Sequence, residues 1–185
     1  MTKIAILISG RGSNMEAIVS AINNGKLDAE VCFVGSDNEN ALGLRTALNL
    51  GLKTITYSYK DADNILLWAI NEYNVEWLVL AGYMRILSKN FVKNMEGRIV
   101  NIHPSLLPSF KGAHAIDDAL LYGVKVTGVT IHFVDEFVDH GRILAQRAVE
   151  IKEDDTLETL SERIHRLEHS LYPETLSKLF IKEIE

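Results

Sequence analysis

The sequence predicts an α/β protein: an open, mostly parallel twisted sheet with helices on both faces and an antiparallel extension near the C-terminal half. Three observations carry this. Short continuous apolar runs rich in β-branched residues recur along the chain, as strands buried on both faces require. They alternate with stretches whose apolar residues fall at helical spacing, and glycines punctuate the joins. From Val126 onward the runs give way to alternation, the pattern of half-exposed strands.

The first run, Lys3 to Ser9, reads as a strand stopped by Gly10. Asn14 to Asn24 then carries Met15, Ile18, Val19 and Ile22 at helical spacing and ends at Asn24-Gly25, a good stop signal. Val31 to Gly35 reads as a strand, Ala41 to Leu50 as a helix closed by Gly51, Lys53 to Tyr57 as a strand, Ala62 to Tyr73 as a helix and Trp77 to Ala81 as a further buried strand. Such alternation implies right-handed crossovers and an open, Rossmann-like sheet. Ile99 to Ile102 leads into a loop holding Pro104 and Pro108. Val126 to Val134 and Ile143 to Ile151 then read as an antiparallel pair joined through Asp139-His140-Gly141. Thr156 opens the last helix, whose stripe of Leu157, Leu160, Ile164, Leu167 and Leu171 runs down to Pro173.

Composition narrows the function. With 185 residues, 47% hydrophobic and 24% charged, the chain has the usage of an ordinary globular protein, and residues 1–185 are expected to form a single domain. Lys plus Arg number 19 against 25 Asp plus Glu, a net charge of −6. That balance lacks the electrostatic footprint of a nucleic-acid or anionic-lipid binder, so any anionic ligand must be held locally. The single cysteine, Cys32, cannot form an internal disulfide, which fits a reducing cytoplasm. No signal peptide opens the chain and no apolar run reaches the roughly 18 residues of a membrane span. No repeat or low-complexity tract is found.

In open α/β sheets ligands bind beyond the carboxyl ends of the strands. That rule selects Gly10 to Asn14, Gly82 to Leu87, and the segment from Asn101. Gly10-Arg11-Gly12-Ser13-Asn14 lies between the first strand and first helix, where backbone N–H groups and the helix N-terminus can meet a phosphate. The bland alternative is a tight turn with Ser13 as a helix cap. A dinucleotide fingerprint is the sharper rival, since Asp37 follows the second strand where a ribose-binding acid could sit. Met15, however, occupies the third glycine position. A compact phosphate site fits better.

Asn101 and His103 are two apart on a strand and so project to the same side. A carboxamide donor beside an imidazole suits acyl transfer, in which a carbonyl becomes an oxyanion that preplaced donors stabilise. Taken singly, His103 is more often a satisfied strand-end histidine and Asn101 a turn-stabilising amide; together, followed by the rigid Pro-Ser-Leu-Leu-Pro loop, they point to function. Asp139 reads as a turn aspartate, unless it folds over His103, where its carboxylate would orient the ring and favour the imidazolium. No His-x-x-x-His or similar pair is found among His103, His114, His132 and His140, so no metal is expected. A serine hydrolase would need a Gly-x-Ser-x-Gly elbow, which is missing, and Ser105 has no obvious base.

As a set, Ile8 to Asn14 (ISGRGSN), Leu80 to Leu87 (LAGYMRIL) and Asn101 to Pro108 (NIHPSLLP) resemble the phosphoribosylglycinamide formyltransferases, folate-dependent enzymes of purine synthesis. The resemblance covers essentially the whole chain, including His132-Phe133-Val134 through Asp139 and Glu168-His169 through Pro173. It implies transfer of a formyl group from 10-formyltetrahydrofolate, as co-substrate, to the amine of glycinamide ribonucleotide. It further implies Asn101, His103 and Asp139 as the catalytic trio. Gly12, Ser13, Asn14, His165 and Glu168 would hold the ribonucleotide. Met84, Arg85, Ile86 and Leu87, with Asn101 and with Asp135, Glu136, Phe137, Val138 and Asp139, would hold the folate. The phosphate loop then belongs to the N-terminal half, and catalysis to the C-terminal half.

One departure concerns the family's arginine near the start of the helix after strand three. Here the stretch is Tyr59-Lys60-Asp61, with Lys60 the nearest cation but without a guanidinium's fork. Two relatives share the Asn-x-His and Pro-Ser-Leu-Leu-Pro signature, the formyltransferase of initiator methionyl-tRNA and the hydrolase of 10-formyltetrahydrofolate. Each would be expected to carry an additional domain for which 185 residues leave no room. A catalytically silent binding module is the remaining alternative, and the intact Asn101, His103 and Asp139 argue against it. A cytoplasmic monomer or homodimer with small-molecule partners, and neither nucleic acid nor membrane, is the expectation.

Overall fold

The computed structural model describes residues 1–182. In chain order the elements are β1 (Thr2–Ile8), α1 (Ser13–Asn23), β2 (Ala29–Ser36), α2 (Leu42–Asn49), β3 (Thr54–Thr56), α3 (Ala62–Glu72), β4 (Trp77–Leu80), α4 (Lys89–Asn94), β5 (Ile99–His103), α5 (Ala115–Tyr122), β6 (Val126–Phe133), β7 (Ile143–Glu150) and α6 (Leu157–Phe180). One seven-stranded sheet forms in the order β3-β2-β1-β4-β5-β6-β7. Its first five strands run parallel, β6 is antiparallel to β5, and β7 is antiparallel to β6. The expected Rossmann-like sheet with an antiparallel extension is what the chain adopts.

Why β1 reads as an unbroken apolar run is visible in its packing. Successive strand residues point to opposite faces. Ile4, Ile6 and Ile8 enter a core shared with Ile18 and Val19 of α1, Leu44 of α2, and Leu160, Ile164 and Tyr172 of α6. Ala5 and Leu7 enter a second core with Leu66 and Ile70 of α3 and Phe91 and Val92 of α4. Both faces of β1 are therefore buried and both demand apolar side chains. By contrast β7 is the sheet edge and most of its residues are exposed or half-exposed.

The structure departs from the sequence reading in three places. Two short helices, α4 and α5, occupy stretches with no element assigned. The last helix does not stop at Pro173 but runs on to Phe180 with the proline inside it. A proline in a helix removes one backbone bond. Here it lies among buried neighbours: the Tyr172 hydroxyl lies 3.0 Å from both the Leu80 and Val100 carbonyls, which share its one proton, and Leu176 and Leu179 continue the buried stripe. Packing against the sheet thus holds the helix across the break. The remaining boundaries fall within two residues of those expected.

Candidate active site

Strand order fixes where a crevice opens. The chain leaves β1 towards β2 on one side and leaves β4 towards β5 on the other, so their connections diverge above the β1–β4 boundary. Beyond those carboxyl ends lies a cleft of about 540 Å³. It is lined by Gly12, Ser13, Asn14, His165 and Glu168 at one end, by Met84 to Leu87 and Asp135 to Val138 at the other, and by Asn101, His103 and Asp139 at the junction. All of the expected site residues are thereby brought to one cavity.

At the junction, Asn101 and His103 sit on β5, and antiparallel register places Asn101 directly opposite His132 of β6. Directly opposed side chains on one face are close neighbours. The Asn101 Nδ2 lies 3.2 Å from His132 Nε2, and His132 Nδ1 lies 2.7 Å from the Phe133 carbonyl. That carbonyl can only accept, so Nδ1 carries the proton and Nε2 offers its lone pair to the Asn101 amide. Burial lowers the His132 pKa and keeps the ring neutral, which suits this role. One amide hydrogen of Asn101 is thus spent on His132, and the carboxamide is held in a fixed orientation with the other hydrogen available.

Asp139 crosses from the β6–β7 connection to reach His103. Its side chain is only 11% exposed, and Oδ2 lies 3.4 Å from His103 Nδ1 while accepting from the Gly112 N–H at 2.8 Å. Its other oxygen lies 3.8 Å from His132 Nε2. The far nitrogen of His103, Nε2, faces the Phe110 carbonyl at 2.8 Å. A ring carrying N–H on both nitrogens satisfies both acceptors, whereas one lacking the Nδ1 proton turns a lone pair towards a carboxylate. Asp139 has a positive φ of 46°, a conformation aspartate tolerates better than most residues. The loop is shaped from below as well, since a side chain at Gly141 would run into the Phe133 backbone.

The α1 end is polar and closed. Gly12, not Ser13, is the N-cap of α1, at a left-handed φ of 80°, and no side chain caps the helix. A Cβ on Gly12 would sit 2.9 Å from the Gly43 Cα, so the loop needs glycine for space as well as for backbone geometry. The first-turn N–H groups are left for an anion. Asn14 is buried, and its Nδ2 donates to Glu168 Oε2 at 2.9 Å while its Oδ1 has no partner. Burial pushes the Glu168 carboxyl pKa up, the Asn14 bond notwithstanding. A buried carboxamide oxygen with nothing to accept from is a group built to meet a ligand donor.

The opposite end is apolar and open. Met84, Ile86, Phe137 and Val138 are exposed large hydrophobic side chains on loops, the grouping a flat ring system requires. Asp135 ties its loop together by accepting from the Phe137 N–H at 2.9 Å and pairing with His140 at 2.7 Å. Burial raises its carboxyl pKa, but those bonds outweigh it and the group titrates below the ordinary range. From the stretch Tyr59-Lys60-Asp61 it is Tyr59 that reaches this wall, donating to the Ile86 carbonyl at 3.3 Å beneath the Arg85 guanidinium, while Lys60 is exposed.

The alternatives set aside for Ser13, Asp37 and Ser105 gain no support, and one histidine pattern is corrected. Ser13 does not act as a cap. Asp37 borders a neighbouring cavity of about 840 Å³, but Ser9 and Arg85 already engage its oxygens. Ser105 is buried and donates to the Ser109 carbonyl at 2.6 Å, a loop contact and not a nucleophile. His165 and His169 form a helical pair that the sequence reading passed over. Even so, no group of three or more His, Cys, Asp or Glu side chains able to hold a metal occurs among the described residues. His132 was missed as a site residue. Its signal lay in the strand pattern, since an antiparallel partner for Asn101 must fall on alternate residues of Val126 to Val134.

Comparison with known proteins places the chain. The formyl transferase family matches residues 2–176. The phosphoribosylglycinamide formyltransferase of Bacillus subtilis is 40% identical over 97% of this chain and 95% of its own length. The trifunctional purine biosynthetic protein adenosine-3 of Gallus gallus is 47% identical over 94% of the chain, which spans only 18% of that longer protein. A crystal structure of phosphoribosylglycinamide formyltransferase from Bacillus halodurans superposes with a TM-score of 0.93 at 44% identity, covering 98% of this chain and 97% of the other. With the fold, the cleft and these similarities in agreement, the chain belongs to the formyl transferase family, among the phosphoribosylglycinamide formyltransferases.

Proposed function

We propose that the cleft transfers a formyl group from 10-formyltetrahydrofolate to the amine of glycinamide ribonucleotide. The products are formylglycinamide ribonucleotide and tetrahydrofolate, a step of de novo purine (IMP) biosynthesis. The observation that carries this is the convergence of Asn101, His103 and Asp139 midway between a polar, anion-ready end and an open apolar end of one cleft. Two differently built subsites flanking one set of donors fit a reaction that joins a phosphorylated amine to a folate.

In this reading the phosphate lies at the α1 N-terminus and the Asn14–Glu168 pair contacts the polar body of the ribonucleotide. Met84 to Leu87 and Asp135 to Asp139 enclose the folate ring. The neutral amine attacks the formyl carbon and the carbonyl electrons move onto oxygen. Asn101, through its free amide hydrogen, and His103, through its charge, stabilise that tetrahedral oxyanion. The amine must then lose a proton and the folate nitrogen must gain one to leave. Asp139 holds the His103 ring and organises a water that relays this proton. No covalent enzyme intermediate is formed, and fixing both substrates supplies much of the remaining acceleration.

Residues 1–185 are read as one formyltransferase domain, working as a monomer or homodimer in the cytoplasm. Among the described residues no helix is long and apolar enough to cross a membrane. The test is incubation of the protein with both substrates while tetrahydrofolate formation is followed. Stoichiometric tetrahydrofolate and formylated ribonucleotide are expected; release of formate without formylated product would identify a hydrolase instead.

A further inference from the structure

We infer that Asp37 is a positioning residue for the folate end of the cleft: its buried carboxylate anchors the Met84–Arg85 wall, through the Ser9 hydroxyl to the Met84 N–H and directly to the Arg85 side chain. This rests on the reading above that the wall encloses the folate.

Asp37 directly follows β2, outside the cleft, and its side chain is only 3% exposed. Its two oxygens reach the loop by different routes, one through Ser9 at the end of β1 and the other directly through Arg85. Oδ1 accepts from the Ser9 hydroxyl at 2.8 Å, and that hydroxyl in turn accepts from the Met84 N–H at 3.0 Å. Oδ2 accepts from Arg85 Nε at 2.6 Å. Tyr59 adds a third point, donating to the Ile86 carbonyl at 3.3 Å with its ring 5.5 Å from the Arg85 guanidinium carbon. Three consecutive wall residues are thus fixed from behind by three separate elements.

The wall needs such support. Backbone pairing with the β1 side ends at Gly82, and residues 83–87 belong to no helix or strand, so the polar groups of the Met84–Ile86 backbone have no ladder to satisfy them. The Met84 and Ile86 side chains add no packing of their own, being 63% and 66% exposed, although Tyr83 and Leu87 on either side pack on the second core. An apolar wall whose backbone is already fixed loses less freedom when a ligand docks, and binding is correspondingly tighter. A buried carboxylate is costly unless its oxygens are satisfied, and here the partners are Arg85 of the loop and the Ser9 hydroxyl to which the loop's Met84 N–H is bonded. The geometry gives Asp37 no free oxygen for a ligand.

The test compares wild type with Asp37→Ala and Asp37→Asn in the full chain. Calorimetry reads binding of tetrahydrofolate and, separately, of glycinamide ribonucleotide; hydrogen exchange reads the Met84 amide. Asp37→Ala is expected to weaken tetrahydrofolate about tenfold while ribonucleotide affinity stays within about twofold. Met84 should lose at least about tenfold of its exchange protection while β1 and β4 amides keep theirs. Asp37→Asn keeps an acceptor for Ser9 and loses the charge for Arg85, so it should fall between, and it decides the matter by the same criteria where the alanine variant does not fold.

Unchanged tetrahydrofolate affinity and unchanged Met84 protection overturn the inference. So does an equal loss for both ligands with β1 and β4 deprotected, which marks a purely structural residue. Wild type that binds no tetrahydrofolate would instead overturn the reading of the wall, while the exchange result still judges the clamp.

Discussion

At the α1 end of the cleft, Asn14 and Glu168 are buried before any ligand arrives, and one of their acceptors has no partner. At the opposite end, where the folate is proposed to lie, Met84, Ile86 and Phe137 stand in solvent on loops whose backbones are tied down from behind. The first end is built around hydrogen bonds that are costly to leave unmade. The second gains from apolar area that a ligand will cover. Discrimination is thus concentrated in a few buried polar atoms, while affinity for the larger ring is spread over many weak contacts. Asn101 and His103, the proposed oxyanion donors, lie where the two designs meet.

The largest effect is expected at the junction. Replacing Asn101 or His103 by Ala should lower kcat by on the order of a hundredfold or more, because each is asked to stabilise charge that exists only in the transition state. Steady-state kinetics with each substrate varied should show both KM values nearly intact. Near wild-type turnover in both variants would remove them from the chemistry.

At the polar end, Glu168→Gln should raise the KM for glycinamide ribonucleotide by about tenfold, the scale of a hydrogen bond to a charged group, and leave the folate KM unchanged. The same variant sharpens the comparison through stability. Burial raises the Glu168 carboxyl above its ordinary 4.5, so the folded chain holds that proton more tightly than the unfolded chain. Its contribution to stability is complete below 4.5 and is lost as pH climbs through the raised folded value. Measured by thermal melts, the Tm of the Gln variant relative to wild type should therefore rise between about pH 4 and about pH 8.

The smallest effect belongs to the open end. Met84→Ala should raise the folate KM only a few-fold, since a partly covered side chain returns a fraction of the roughly 1.5–3 kcal/mol of full burial. Its Tm should match wild type, because an exposed side chain contributes little packing. Equal KM changes for both substrates would contradict separate ends.

The two halves of the chain also differ in how legible they are. In the parallel half, burial on both faces forces unbroken runs such as Ile4 to Ile8, and Gly12 marks a turn that only glycine fits. Helix α4 escaped because only Phe91 and Val92 of its six residues are buried, too few to show a period. Helix α5 carries Asp117 and Asp118 inside a short apolar stretch and is masked in the same way. Pro173 read as a stop because local propensity knows nothing of the Tyr172 hydroxyl bonded to two strands. His132 and Asp139 depend on register and on a loop crossing 36 positions of sequence to His103, which is information held by the tertiary fold.

The most direct test of the central claim is a crystal structure of the protein with glycinamide ribonucleotide and a non-transferring folate analogue. The account places the oxygen that mimics the formyl group within about 3 Å of Asn101 Nδ2, beside the His103 ring, with the phosphate at the α1 N-terminus. An analogue whose one-carbon position lies away from the end of β5, out of reach of both side chains, would contradict it.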